Sequence, residues 1–341
     1  MKTIVELLEN SAGKYGNNPY LLEKKSDRYE AITFKETRDL AYATAAGMIV
    51  LGLEKGDRVA LLSESRTDWV LSELGILHAG AICVPLSILL KEGADLKFRI
   101  DHSGSRWIIV SALQYDKIKA IRKDLANLVK IILLDPRDSY EEDEIFMGRV
   151  RTSGDEYLKT NREKFMERIN SVRPDDYANI SYTSGTTADP KAIILSHRNY
   201  TANIEQTLTL MDVPAWWTTL LILPWDHSFA HTVGIYIMMA TGASLAAVQS
   251  GKSYLDSIKH IPENIREIKP VFLLSAPALA KNFRKGIEKS IKEKGPLIEK
   301  LFNHALKIAY AYNGIGWDKG RGFRILLKPL YSLYDIILFK K

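Results

Sequence analysis

"YTSGTTADPKAIILSHRNY", residues 182–200, places an unbroken run of small and hydroxylated residues, Thr183 to Thr187, ahead of a strand-like apolar segment. Such a loop offers closely spaced N–H groups and hydroxyls, which donate hydrogen bonds to a ligand rich in acceptor oxygens. Polyphosphate is a ligand of this kind, and Lys191 adds a compact positive charge behind Pro190. By composition alone, an ordinary solvated turn is the more common explanation.

The spacing of glycines and lysines excludes two better-known phosphate-binding motifs. Gly185 and Lys191 do not fit G-x-x-x-x-G-K-[ST], and "NGIGWDKGRG" at 313–322 does not fit G-x-G-x-x-G. The sequence therefore carries neither a Walker loop nor a Rossmann fingerprint.

Outward from this stretch, helix-like and strand-like segments alternate. A helix is predicted over "TFKETRDLAYATAAGMIVLGL", ending near Gly52, and a buried strand over "DRVALLS". Similar strand signals follow in the first 135 residues and again from Asn179 to the "PVFLLSA" segment. This alternation predicts an α/β fold with largely parallel sheets.

Residues 135–176 interrupt the alternation. This stretch is rich in charged residues and lacks sustained apolar periodicity. We therefore predict a charged linker there, separating a first α/β subdomain at 1–170 from a second, ligand-binding subdomain at 171–341 that is incomplete at its C-terminal end.

Composition narrows the classes of function. The 341 residues include 47 basic and 41 acidic side chains, a net charge of +6, but the basic residues are scattered, which argues against nucleic-acid binding. The single cysteine, Cys83, favours a reducing, cytoplasmic location. The apolar run at 232–248 contains two glycines and predicts a buried helix followed by a strand rather than a membrane span.

Residues 182–199 resemble the phosphate-loop signature of the acyl-adenylate-forming (AMP-binding) enzymes, YTSGTTGxPKGVxxSHxN. "LPWDHSFAHTVGIY", residues 223–236, is similar to the LPxxH acyl-pocket segment of that family, and the segment from Pro270 resembles long-chain fatty-acid CoA ligases. The resemblance covers essentially the whole chain. It implies the N-terminal domain of an acyl-CoA synthetase, with ATP, Mg²⁺ and CoA as cofactor and co-substrates.

The resemblance also implies roles for individual residues. Thr186, Lys191 and His227 would act in catalysis, and Thr183 would be a weak Mg²⁺ ligand. The residues that would hold the ATP phosphates are Thr183, Ser184, Gly185, Thr186, Thr187 and Lys191.

Two histidines are expected at the acyl pocket. His227 matches the LPxxH histidine, and His231 falls near the position that gates the fatty-acyl tunnel. Asp226, His227 and His231 also have a spacing that could bind a metal, and His231 alone could be a packed helix residue.

The sequence departs from the family pattern in two ways. Ala188 and Ala192 replace glycines, so either their backbone conformations are ordinary or the loop grips phosphate less well. In addition, residues 300–341 contain none of the family's adenine, ribose or C-terminal lysine motifs.

We therefore expect an N-terminal fragment of a fatty-acid CoA ligase that is inactive without the missing C-terminal part of the enzyme. The alternatives are a non-catalytic phosphate- or acyl-binding module and an acyl-AMP ligase for another carboxylic acid. The apolar tail from Leu326 onward suggests self-association or peripheral contact with the inner membrane face.

Overall fold

A computed structural model describes residues 2–90, 93–183, 190–274, 277–314 and 320–339. The chain forms two compact units that divide after Leu274. Among the described residues, both sheets belong to the first unit, and the second unit is helical.

The elements are as follows. The strands are β1 (Pro19–Lys25), β2 (Arg28–Thr33), β3 (Arg58–Leu62), β4 (Ile82–Pro85), β5 (Trp107–Val110), β6 (Lys130–Leu133), β7 (Glu144–Phe146), β8 (Tyr177–Thr183), β9 (Lys191–Ser196), β10 (Thr218–Leu221), β11 (Ser244–Ala247) and β12 (Phe272–Leu274). The helices are α1 (Ile4–Tyr15), α2 (Phe34–Val50), α3 (Thr67–His78), α4 (Ala94–Ser103), α5 (Ala112–Ile121), α6 (Met147–Asn170), α7 (His197–Leu210), α8 (Ile237–Thr241), α9 (Tyr254–Ile268), α10 (Pro277–Glu293), α11 (Pro296–Asn313) and α12 (Lys328–Tyr334).

Seven strands form the larger sheet, in the order β7-β6-β5-β3-β4-β8-β9. Every neighbouring pair is parallel except β8 and β9, which form an antiparallel hairpin. All residues of β4 and β5 are buried, as expected for a parallel sheet covered on both faces. The predicted α/β fold with largely parallel sheets is confirmed.

The smaller sheet has the order β12-β10-β11-β1-β2, and only its β1–β2 pair is antiparallel. A π-helical turn at Ala230–Tyr236 and the buried helix α8 lead into β11. The helix and strand predicted for residues 232–248 are therefore confirmed. Among the described helices, none is both long enough and apolar enough to cross a bilayer.

The charged segment at 135–176 differs from its prediction as a linker. The structure places β7 and the 24-residue helix α6 there. Only a narrow stripe of α6, including Val150, Gly154 and Phe165, is buried, so charged residues on the other faces hide its periodicity. The predicted subdomain boundary at 170/171 stays a prediction, and it falls inside the first compact unit.

Helix α6 packs on α2 through two glycines. A Cβ atom on Gly154 would lie 1.9 Å from the carbonyl oxygen of Ala43, and one on Gly47 would lie 2.0 Å from the carbonyl oxygen of Val150. Both clashes are with backbone atoms, which cannot move without separating the helices. The close approach of α2 and α6 therefore depends on the absence of side chains at these two positions.

We predict that Gly154→Ala lowers the free energy of unfolding by about 2 kcal/mol or more, because the added methyl group overpacks the α2–α6 contact. The measurement is equilibrium urea unfolding. Gly13→Ala is the matched control: Gly13 is exposed in α1 with open space around its Cβ position. That change should raise stability by up to about 1 kcal/mol, since alanine favours helix over glycine. Equal effects of the two substitutions would contradict the proposed contact.

The second unit is described by itself. Tyr312 of α11 stacks on Tyr331 of α12, with ring centroids 4.6 Å apart. Several apolar residues of its tail are exposed, as the sequence suggested: Leu326, Leu330, Leu333, Ile336 and Ile337.

Candidate functional site

The hairpin of β8 and β9 carries the hydroxyl-rich stretch. Its strands pair in register up to Thr183 opposite Lys191, and both of these residues are exposed. The strands therefore close the hairpin next to the predicted phosphate loop. The predicted phosphate-binding residues Ser184, Gly185, Thr186 and Thr187 lie outside the described residues.

Ala192 lies in β9 opposite Tyr182. Among the described residues other than glycine, positive φ angles occur only at Ser26 and Lys269, so Ala192 has an ordinary strand conformation. Replacement of the family glycine by alanine therefore causes no backbone strain at this position. Ala188 lies outside the described residues.

The C-terminal part of the motif, "SHRN", joins β9 to α7. Ser196 and Asn199 form a capping box, in which each side chain bonds the backbone N–H of the other residue. His197 is buried, and its Nδ1 atom accepts a hydrogen bond from the Ile4 backbone N–H at 3.3 Å. These contacts give the second half of the motif a structural role.

A cleft of about 440 Å³ lies at the carboxyl ends of β4 and β8. Its walls also include α4, β9 and the segment that follows β10 in the other sheet. Thr183 and His227, which are 44 residues apart in sequence, both line it. Open α/β sheets typically bind ligands at such strand ends. The structure thus brings together two residues that the sequence predicted separately.

His227 is exposed at this cleft, and its Nδ1 atom accepts a hydrogen bond from the Phe229 backbone N–H at 3.2 Å. In the neutral imidazole, Nε2 then carries the proton and can donate to an oxygen ligand. Burial raises the pKa of the neighbouring Asp226, and the charges of His231 and His227 oppose this shift. Asp226 therefore favours its neutral form more than a free carboxyl group does.

A second, mainly apolar cleft of about 600 Å³ adjoins the first, because Ser228 lines both. Its walls come from α7, from the π-helical turn after His227 and from β12. They include Met211, Phe229, Val233 and Phe272.

His231 lines neither of these two clefts. It is completely buried, and its Nε2 atom lies 3.1 Å from Oε1 of Glu73, which is also buried. The ring of His231 stacks with Tyr236 and packs near Trp69. The structure therefore does not bring His231 to the cleft with His227, and its acyl-pocket role stays a prediction.

The alternative metal site at Asp226, His227 and His231 gains no support. Within the described ranges, no three His, Cys, Asp or Glu side chains come together as metal ligands could. The burial of His231 against Glu73 explains why the sequence spacing does not become a cluster.

Sequence reasoning missed several polar residues of the first cleft, among them Arg99 and Ser181. Arg99 reaches it from α4, and Ser181 from β8. Neither residue belongs to a recognisable pattern, since each enters the cleft only through the packing of α4 and the pairing of β8.

Sequence comparison agrees with this geometry: residues 8–314 match the AMP-binding enzyme family, and the chain belongs to that family. It is 25% identical over 353 residues to the long-chain-fatty-acid–CoA ligase ACSBG2 of Rattus norvegicus, covering 98% of this chain and 48% of the relative. It is also 25% identical over 380 residues to the chloroplastic long-chain-fatty-acid–[acyl-carrier-protein] ligase AEE15 of Arabidopsis thaliana, covering 100% of this chain and 50% of the relative. The chain thus spans about half the length of these relatives.

Among solved structures, a long-chain-fatty-acid-CoA ligase (FadD1) from Archaeoglobus fulgidus matches with a TM-score of 0.66 and 19% identity. The match covers 85% of this chain and 55% of that structure. At this identity the match supports the fold.

Because His197 of the motif is buried, we expect the free energy of unfolding to depend on pH. Burial lowers the pKa of His197 to about 4, whereas an unfolded histidine titrates near 6.5. Between these values the unfolded state binds more protons, so acidification through this window destabilises the fold. We predict that the loss of unfolding free energy from pH 7.5 to pH 4.5 is about 2–3 kcal/mol smaller in His197→Gln than in the wild type.

Urea unfolding at the two pH values measures this difference. His260→Gln, on α9, is the control and should leave the loss unchanged. A wild-type pH dependence retained in His197→Gln would show that other groups cause it.

Proposed function

We propose that the protein to which these residues belong activates fatty acids with ATP, forming first an acyl adenylate and then acyl-CoA. The observation that carries this proposal is the cleft in which Thr183, at the mouth of the hydroxyl-rich hairpin, meets His227. Membership of the AMP-binding family and the similarity to long-chain ligases support it.

In the first step, a carboxylate oxygen of the fatty acid attacks the α-phosphorus of ATP, and pyrophosphate leaves. In the second step, the thiol of CoA attacks the acyl carbonyl carbon, its proton is released, and AMP leaves. The chain contributes donors to the first step: Thr183, Lys191 and the loop between them would bind phosphate oxygens, and His227 would donate to the acyl carboxylate or phosphate. Positioning and charge neutralisation supply most of the catalysis in such a reaction.

The protein oxygens at this site suit Mg²⁺ only if phosphate oxygens supply most of the ligands of the ion. Thr183 offers one hydroxyl oxygen, and the described residues form no carboxylate cluster beside it. Mg²⁺ commonly keeps several waters and is shared with substrate phosphates. When bound, the ion would neutralise phosphate charge, and Thr183 would be its weak protein ligand.

The apolar cleft gives the acyl chain a place next to the reacting carboxylate. Because Ser228 lines both clefts, a fatty acid with its carboxylate near His227 would extend along Phe229 and Val233. A hydrophobic cavity of this kind favours a chain over a small polar acid. This feature supports a fatty acid over the alternative of another carboxylic acid.

Substrate class is tested by ATP–pyrophosphate exchange in the full-length form of the protein. We expect exchange that depends on saturated fatty acids. Exchange with amino acids or aryl acids alone would favour the alternative ligase. No exchange with any acid, together with binding of fatty acid or phosphate, would favour a non-catalytic binding module.

We predict that Thr186→Ala or Lys191→Ala slows the full-length exchange reaction by about 2–4 kcal/mol in activation free energy, because each change removes a donor to developing phosphate charge. Lys119→Ala, an exposed lysine on α5, is the control and should leave exchange unchanged. Melting temperatures should match the wild type. Unaltered exchange in both loop variants would show that this stretch serves only as a turn.

For residues 1–341 alone we expect no acyl-CoA synthesis, because about half the length of each of these relatives lies outside the region that matches this chain. Measurable turnover by the purified chain would contradict this expectation. In the cell we propose a cytoplasmic protein, and the exposed tail around Leu333 and Ile336 would allow peripheral membrane contact.

A further inference from the structure

Arg99 is a cleft residue that the motif does not include. It lies on α4, with only 8% of its surface exposed, and lines the same cleft as Thr183 and His227. Arginine is rarely buried to this extent without a partner of opposite charge.

The contacts of Arg99 tie it to the hairpin. Its Nη1 atom donates to the carbonyl oxygen of Asp95 at 2.9 Å, and its guanidinium lies 5.7 Å from the ring centroid of Tyr182. The Tyr182 hydroxyl donates to the carbonyl oxygen of Arg99 at 3.2 Å and bonds Nδ1 of His102 at 2.9 Å. Tyr182 directly precedes Thr183, so Arg99 is held beside the start of the predicted phosphate loop.

The charge of Arg99 is not balanced within the described part of the chain. No carboxylate of those residues lies at ion-pairing distance from its guanidinium, and within the same ranges the guanidinium donates one hydrogen bond, to the neutral carbonyl of Asp95. Asp226 carries the one carboxylate among the described residues that line the cleft, and it forms no ion pair with Arg99. A guanidinium has five N–H donors in a planar fork that matches phosphate oxygens. The cleft thus holds a buried cation with unused donors.

We propose that Arg99 binds phosphate oxygens of the ligand in this cleft, adding a fixed positive charge to the donors of the hairpin. The proposal rests on the proposed function, since it concerns the same site. Phosphate is favoured over the acyl carboxylate because Arg99 contacts Tyr182, next to Thr183, whereas the apolar cleft joins this one at Ser228, in the segment that follows β10.

The test measures binding of inorganic pyrophosphate, ATP and a saturated fatty acid to the 341-residue chain by calorimetry. Arg99→Met should weaken pyrophosphate and ATP binding about tenfold or more and leave fatty-acid binding within about twofold. Arg99→Lys, which retains the charge but loses the fork, should weaken pyrophosphate binding by about threefold or more. Arg28→Met is the matched control, because Arg28 is exposed on the edge strand β2 of the other sheet, and it should bind like the wild type.

Wild-type pyrophosphate affinity in Arg99→Met, with a lowered melting temperature, would show that Arg99 only supports α4 and would overturn the proposal. Loss of fatty-acid binding with unchanged pyrophosphate binding would also overturn it, since the carboxylate would then be the partner. If Arg99→Met does not fold, Arg99→Lys decides: affinity equal to the wild type refutes the proposal. A wild-type chain that binds no pyrophosphate refutes it as well. Because these are binding measurements, they stand apart from the exchange assay that tests the proposed function.

Discussion

The parallel pairing of β8 with β4 is the contact on which the site depends. In this pairing Asn179 lies beside Cys83, and the carboxyl end of β8 comes next to the carboxyl end of β4. Without it, Thr183 would not share a cleft with Arg99 or with the loop after β4. Asn179 is buried, and its Oδ1 atom accepts a hydrogen bond from the Ser181 hydroxyl at 2.6 Å, which offsets part of the cost of burying the amide.

The described residues of the signature stretch at 182–200 include a part that lines the cleft and a part with structural contacts. Tyr182 and Thr183 line the cleft, whereas Ser196, His197 and Asn199 fix the turn from β9 into α7 and the contact with α1. The structural part also matters for the site, because anchoring the C-terminal end of β9 holds the hairpin in place.

The sequence predicted the parts of the fold that depend on local pattern. Buried strands such as β3 and β5 are continuous apolar runs, and the helix ending near Gly52 follows from its spacing and its glycine, which has φ +97°. Helix α6 was missed because its few buried residues form a narrow stripe and charged residues cover its other faces. Likewise, motif similarity predicted Thr183, Lys191 and His227, but Arg99 enters the site only through the docking of α4 against β8.

Ser228 lies at the junction of the two clefts, and the π-helical turn that follows it contributes His231 to a buried polar pair. His231 and Glu73 lie 3.1 Å apart in the core, at ion-pair distance, although their geometry is not that of an aligned hydrogen bond. Removing either partner would leave the other buried and uncompensated, which costs far more than the pair contributes. π-Helical turns are rare and occur mostly as single turns within helices, frequently at functional sites. The buried position of His231 thus gives it a structural role: it ties the π-helical turn, which follows the cleft residues His227 and Ser228, to Glu73 in the core.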